Sequence, residues 1–185
     1  MNKVYKVISI AMIFLLVSCT GEDINANSQI EKLLADIQKL QNESLNSTLE
    51  SRQKEEIYFQ KISEIIPRKQ APSFYKKLYI QLENSTRKFT RQLTESQNIQ
   101  QPNLYFSAQE KIIGLFGEFK TLESAKALID MYFDKTLAID AGHSLWVHEN
   151  IMKNRNDSLL YMRELIKKNP SNKNMQGLLK LLEDK

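Results

Sequence analysis

From residue 29 onward the apolar positions recur at helical spacing, and no stretch shows the sustained alternation of a half-buried strand. The pattern predicts an all-α chain with long helices first and short antiparallel helix pairs after them. Ile30, Leu33, Leu34, Ile37 and Leu40 form one stripe of a first helix. The phase is lost through QNESLNSTLESRQKEE, residues 41 to 56, which offers only Leu45 and Leu49 to a core. Either the helix projects into solvent there, or it breaks and restarts ahead of Ile57, Ile62, Ile65 and Ile66. Pro67 ends this element, because a residue that precedes proline is pushed out of the helical region. A second long helix is predicted from about Pro72 to Gln97, and NIQQPN with Pro102 reads as a loop.

The last third has a different texture. Shorter apolar helices are predicted over about 104–118, 122–134, 136–153, 157–168 and 172–183. Asn156 or Asp157 serves as a cap for the fourth, and Pro170 closes it. Leu122, Ala125, Leu128 and Ile129 are echoed by Leu159, Met162, Leu165 and Ile166 at an offset of 37, and Leu115 and Phe116 by Ile151 and Met152 at 36. Helix pairs recurring at this length resemble an α-solenoid of the HEAT or tetratricopeptide kind. The resemblance spans roughly residues 104 to 183 and rests on spacing, since the Trp, Gly, Tyr and Pro signature positions of a tetratricopeptide motif are missing.

The first nineteen residues, MNKVYKVISIAMIFLLVSC, follow another logic. Lys3 and Lys6 precede an apolar or small run from Val7 to Val17. As a helix that run rises about 16 Å, roughly half of a hydrocarbon core of about 30 Å, so it is too short to span comfortably. It has the proportions of a secretory signal peptide. Leu16, Val17, Ser18 and Cys19 resemble the lipobox of bacterial lipoprotein precursors. That resemblance implies cleavage between Ser18 and Cys19, a diacylglyceryl group on the Cys19 sulfur and acylation of the new amino group. Two or three acyl chains anchor durably where one binds reversibly, at about 0.8 kcal/mol per buried CH₂. The same resemblance implies a cell-envelope location. Thr20 after the cysteine, where an Asp would favour the inner membrane in the enteric pattern, leans to the outer membrane. The organisation read from the sequence is therefore a cleaved signal peptide over 1–18, a lipidated cysteine with a polar tether over 19–28, and a helical domain over 29–185. Within that domain the long helices occupy 29–101 and the helix pairs 102–185.

Composition narrows the reading further. The chain of 185 residues is 42% hydrophobic and 26% charged, with 5 Gly and 4 Pro, which suits one globular domain with long regular elements. Cys19 is the only cysteine, so no internal disulfide can form. The formal charge is +4; without Lys3 and Lys6, 24 basic side chains face 22 acidic ones. A nearly neutral mature chain gives no argument for nucleic acid.

Candidate chemistry is sparse. HENIM, residues 148 to 152, begins like the zinc-protease motif HExxH, but Met152 stands where the second imidazole is needed. His148 shares a helix face with Leu137, Ala141, Leu145 and Met152 and reads as a core-edge histidine. Asp140 and His143 are three apart and read as a surface pair, since two ligands are fewer than the three that zinc requires from protein. No metal or other cofactor is expected beyond the covalent lipid. Trp146, Phe106, Phe116, Phe119, Tyr132, Phe133 and Tyr161 fall among apolar helix positions and read as core. The second long helix is more informative. Leu78, Leu82, Phe89 and Leu93 lie on one side, and Lys76, Lys77, Arg87, Lys88 and Arg91 on the opposite side. That cationic face is suited to anionic headgroups or an acidic protein, or to intramolecular attraction by the acidic segment 110–149.

Three function classes follow. The first is a membrane-anchored helical interaction protein of the envelope, an adaptor or assembly factor with a protein partner. The second is an immunity or inhibitor lipoprotein that neutralises a toxin or enzyme. The third, an envelope enzyme, ranks last because no Ser-His-Asp order, paired-carboxylate motif or phosphate loop is present, and the chain is read as a non-enzyme.

Overall fold

A computed structural model describes residues 3–97, 101–134 and 141–184, with side chains from 25 onward in the first stretch and from 144 onward in the last. Among the described residues there are eight helices and no strand. They are α1 (Lys3–Asn46), α2 (Ser51–Ile65), α3 (Pro72–Ser96), α4 (Leu104–Phe119), α5 (Leu122–Phe133), α6 (Ala141–Lys153), α7 (Arg155–Lys168) and α8 (Lys173–Glu183). The protein is all-α, with long helices followed by shorter helix pairs. Among the described residues no helix is long and apolar enough to cross a membrane.

The centre of the molecule is α4, which packs against α1, α2, α3, α5 and α6. Its sequence explains this, because Leu104, Ala108, Ile112, Ile113, Leu115 and Phe116 span half of its circumference, Gly117 extends the arc, and all are buried. A helix with so wide an apolar arc is stable only inside other helices. Asn103 starts it, its side chain accepting from Phe106 N at 3.2 Å.

Three contacts fix α3 as antiparallel to α4: the Tyr75 and Phe119 rings at 5.6 Å, Gln109 Nε2 donating to Glu83 Oε2 at 2.7 Å, and the Phe89 and Tyr105 rings at 6.1 Å. Helix α1 runs parallel to α3. Gln29 accepts from Gln70 just ahead of α3, while Gln38 and Asn42 face Lys88 and Gln92 near its far end.

In the stretch 41–56 the helix breaks and restarts ahead of Ile57, the second of the two expectations, but it breaks later than the loss of phase suggested. The buried stripe does not stop at Leu40, since Gln41 and Ser44 continue it and α1 extends to Asn46. The phase looked lost because polar side chains occupy core-facing positions. The chain then turns at 47–50 and restarts as α2, where Lys54, itself buried, donates from Nζ to the Ser47 carbonyl at 2.9 Å. Leu49 (50% exposed) and Ile57 (44% exposed) stay outside the core, whereas Ile62 and Ile66 are buried and Ile65 packs on its edge. Residues 20–28 fall inside α1, and Ala26 already packs against the core.

The helix-pair region stacks pairwise. Helix α6 packs on α4 and α7 on α5, so the helices whose sequences echo one another lie side by side, and α8 packs on α7. Gly117 sets the spacing of the first stack. A Cβ added there would fall 2.8 Å from Cγ of Asn150 and closer still to its Oδ1, so only glycine lets the two helices approach. The expected cap at Asn156 or Asp157 is corrected, because α7 begins at Arg155 with Asn154 at the boundary. The Asn154 side chain does not cap its own helix. It donates to Thr121 O at 3.0 Å and Ser124 Oγ at 2.9 Å, tying the α6–α7 turn to the capping box of α5.

Candidate binding groove

Where α1 and α3 lie side by side they leave a groove of about 550 Å³, floored by α4. Leu45, Phe89, Leu93 and Tyr105 give it an apolar base, stiffened by the near edge-on packing of Phe89 against Tyr105 at 68°. Burial pushes the Tyr105 phenol above its usual pKa of 10.0, so it stays protonated across the physiological range. The walls are polar. From α1 come Gln38 and Asn42, one turn apart, and from α3 come Ser85, Lys88 and Gln92. Lys88 is the single charged side chain of the lining, with no carboxylate beside it. The volume is that of an ordinary ligand site, in the range of roughly 300–1,000 Å³.

The near end of the groove is held by Gln41. Its carboxamide donates to Pro102 O at 2.8 Å and accepts from Leu104 N at 2.7 Å, so it satisfies both the 101–103 loop and the first amide of α4. Deeper in the interface between α3 and α4, Glu83 is buried and fully engaged, by Gln109 Nε2 at 2.7 Å and by Arg87 Nε at 2.8 Å. Thr86 Oγ1 completes the cluster with a bond to Gln109 Oε1 at 3.1 Å.

The five cations of α3 do not form one uniform surface. Lys76 Nζ pairs with Asp130 Oδ2 at 2.9 Å, the attraction to the acidic segment 110–149 that the sequence raised. Arg87 pairs with Glu83, and Arg91 with Glu95 at 3.0 Å. Lys77 is exposed beside the start of α3, and Lys88 lies exposed on the groove wall. Asp130 has a second partner, Tyr161, whose hydroxyl donates to Oδ1 at 2.9 Å. Burial, that hydrogen bond and the Asp130 and Glu164 charges together push the Tyr161 phenol up to about 12.

Other sequence candidates fare unevenly. The side chains of Ser18, Cys19 and His143 lie outside the described residues, as does Asp140. His148 is half-buried, and its Nε2 is buried with no hydrogen-bond partner among the described residues. The face assigned to α6 is corrected. Val147, Asn150 and Ile151 are buried, while Leu145 (58% exposed) and Trp146 (39% exposed) point out. The close approach of Asn150 to Gly117 turns α6 this way. Phe116 is fully buried, and Phe119, Tyr132, Phe133 and Tyr161 are partly buried against the core. Among the described residues no three His, Cys, Asp or Glu side chains gather where they could hold a metal ion. No protein family, curated protein or solved structure matches the chain.

Of the lining, the sequence pattern singled out Lys88, Phe89 and Leu93 but placed no groove there. The carboxamides in 38–42 and 92 are discarded by binary patterning as solvated surface.

Proposed function

We propose that the protein is a lipid-anchored helical binding module of the bacterial cell envelope, which captures a protein partner in the groove between α1 and α3. The groove carries the proposal: it is concave, has an apolar base and brings several polar side chains together. Its position supports the same reading. The lipobox residues Leu16 to Cys19 precede the core on α1, and the groove residues Gln38 to Leu45 lie about 20 Å further along that helix than Gln29. A partner could reach the groove without meeting the bilayer. Arg68 and Lys69, exposed in the loop that Gln70 ties to Gln29, lie toward the Cys19 end of α1, and their charge suits anionic headgroups.

The experiment has two arms. Metabolic labelling with palmitate and membrane fractionation should show lipid on the wild-type chain, and Cys19→Ser should lose both label and processing. If the Cys19→Ser chain is still processed and membrane-bound, the anchoring half of the proposal fails. A photo-reactive residue at Ser96, exposed on the groove wall, should cross-link one partner in stoichiometric amount from intact membranes, while the same residue at Glu164 should not.

A further inference from the structure

The groove's lining specifies more than a protein partner in general. We infer that it takes an extended peptide segment of the partner, its backbone held by the carboxamides of Gln38, Asn42 and Gln92 and one carboxylate seated on Lys88. This rests on the binding-module proposal and names what occupies that site.

A carboxamide offers one acceptor and two donors, the complement of a peptide group. Gln41 already demonstrates the pairing inside this protein. It grips the carbonyl of Pro102 in the loop and the amide of Leu104 at the first position of α4, neither of which has a helical partner. Gln38 and Asn42 stand on the same helix, a turn apart and facing the cavity, with Gln92 across from them. None of these three has a side-chain hydrogen bond to another described residue, so their donors and acceptors are available. A folded helix would bring its backbone amides already paired and could not use them. An extended strand brings them free, which is the basis of recognition by main-chain hydrogen bonding.

Charge decides the rest. Lys88 is exposed, has no ion pair among the described residues, and meets no acid elsewhere in the lining. One unopposed ammonium beside neutral hydrogen-bonding groups matches a peptide with a single carboxylate, from Asp, Glu or the chain terminus. The apolar base of Phe89, Leu93 and Tyr105 then accepts the side chain that an extended strand directs to the opposite face.

The test is zero-length coupling with a water-soluble carbodiimide on membranes from cells that make the full chain. The reagent joins an amine to a carboxylate as an amide, taking up the water as a urea, so an adduct mapped to Lys88 reports a carboxylate in direct contact with it. The expected product is a Lys88 amide to an Asp, Glu or C-terminal carboxylate of the partner captured at Ser96, which lines the groove without a role in holding the peptide. Lys88→Arg should remove the coupled product while the Ser96 photo-capture persists, and Lys88→Glu should reduce that capture about tenfold or more, the loss of one charge-assisted hydrogen bond. Gln38→Leu combined with Asn42→Leu should reduce it by a similar factor at unchanged helicity. A captured protein whose carboxylates couple only to other lysines, or whose Ser96 adduct maps to a folded helix and not to an extended segment, overturns the inference and leaves the binding module standing. No captured partner at all removes both.

Discussion

Gln41 and Leu104 are 63 residues apart, yet the carboxamide oxygen of one accepts the backbone amide of the other at 2.7 Å in a buried setting. The amide belongs to the first residue of α4, where no intrahelical partner exists. A side chain on α1 therefore does the work of a helix cap for the central helix of the fold. Gln41→Leu should leave both Leu104 N–H and Pro102 C=O buried and unpaired, at about 1–3 kcal/mol. Chemical denaturation should show this as a lower midpoint with an unchanged slope. Gln41→Glu keeps the acceptor and loses the donor, and should fall between the two.

Two glycines on one helix should respond in opposite directions. Gly117→Ala places a Cβ against the buried Asn150 carboxamide, so α4 and α6 must separate or Asn150 must give up its bond to Trp146 O. Overpacking of this kind costs about 1–3 kcal/mol. A Cβ at Gly114 meets nothing within 4 Å, and Gly114→Ala should stabilise by about 0.5–1 kcal/mol through the unfolded chain and helix propensity. Thermal unfolding of the two variants against wild type checks the pair.

The phenol of Tyr161 predicts a window of alkaline sensitivity. Its pKa is about 12 in the folded state against an ordinary value of 10.0, so the fold holds the neutral form more tightly than the unfolded chain does. The stability it contributes is complete below pH 10 and is lost as pH rises toward 12. Tyr161→Phe should flatten the stability profile across that window without erasing the slope, because burial raises Tyr75 and Tyr105 in the same direction. Denaturation midpoints measured across the window, together with phenolate absorbance, would settle the sign.

Filling the groove should separate binding from folding. Ser85 is half-buried on the groove wall, and Ser85→Trp would occupy much of the space above Phe89 and Tyr105 without disturbing Gln41. The variant should unfold like wild type and lose partner capture at Ser96. Capture at wild-type level would place the contact elsewhere on the surface.

Much of the architecture was legible in the sequence because helical spacing is redundant. Each of the five helices after residue 102 is announced by several apolar positions, and the echo between 115–129 and 151–166 marks helices that do lie side by side. What escaped were places where polar residues do a core residue's work. Gln41, Ser44 and Lys54 are buried, and a pattern that equates polar with exposed reads them as a break. The opposite error occurred at Leu145 and Trp146, where apolar residues face out because α6 turns Val147, Ile151 and, against Gly117, Asn150 inward. The groove was illegible for a related reason. It is made by two helices far apart in the chain, and its carboxamides carry no spacing that distinguishes a lining from a solvated face.

The distance in sequence between α1 and α4 also sets an order of events in time. Ribosomes extend a chain by about 5–20 residues each second, so some 60 residues must be added after Gln41 before Leu104 exists to meet it, an interval of roughly 3–12 s. Throughout that interval the stripe of Ile30, Leu33, Ile37 and Leu40 has no α4 to cover it. Helix α1 is thus locked only after α4 has been added, and until then its apolar stripe depends on α2 and α3 for cover.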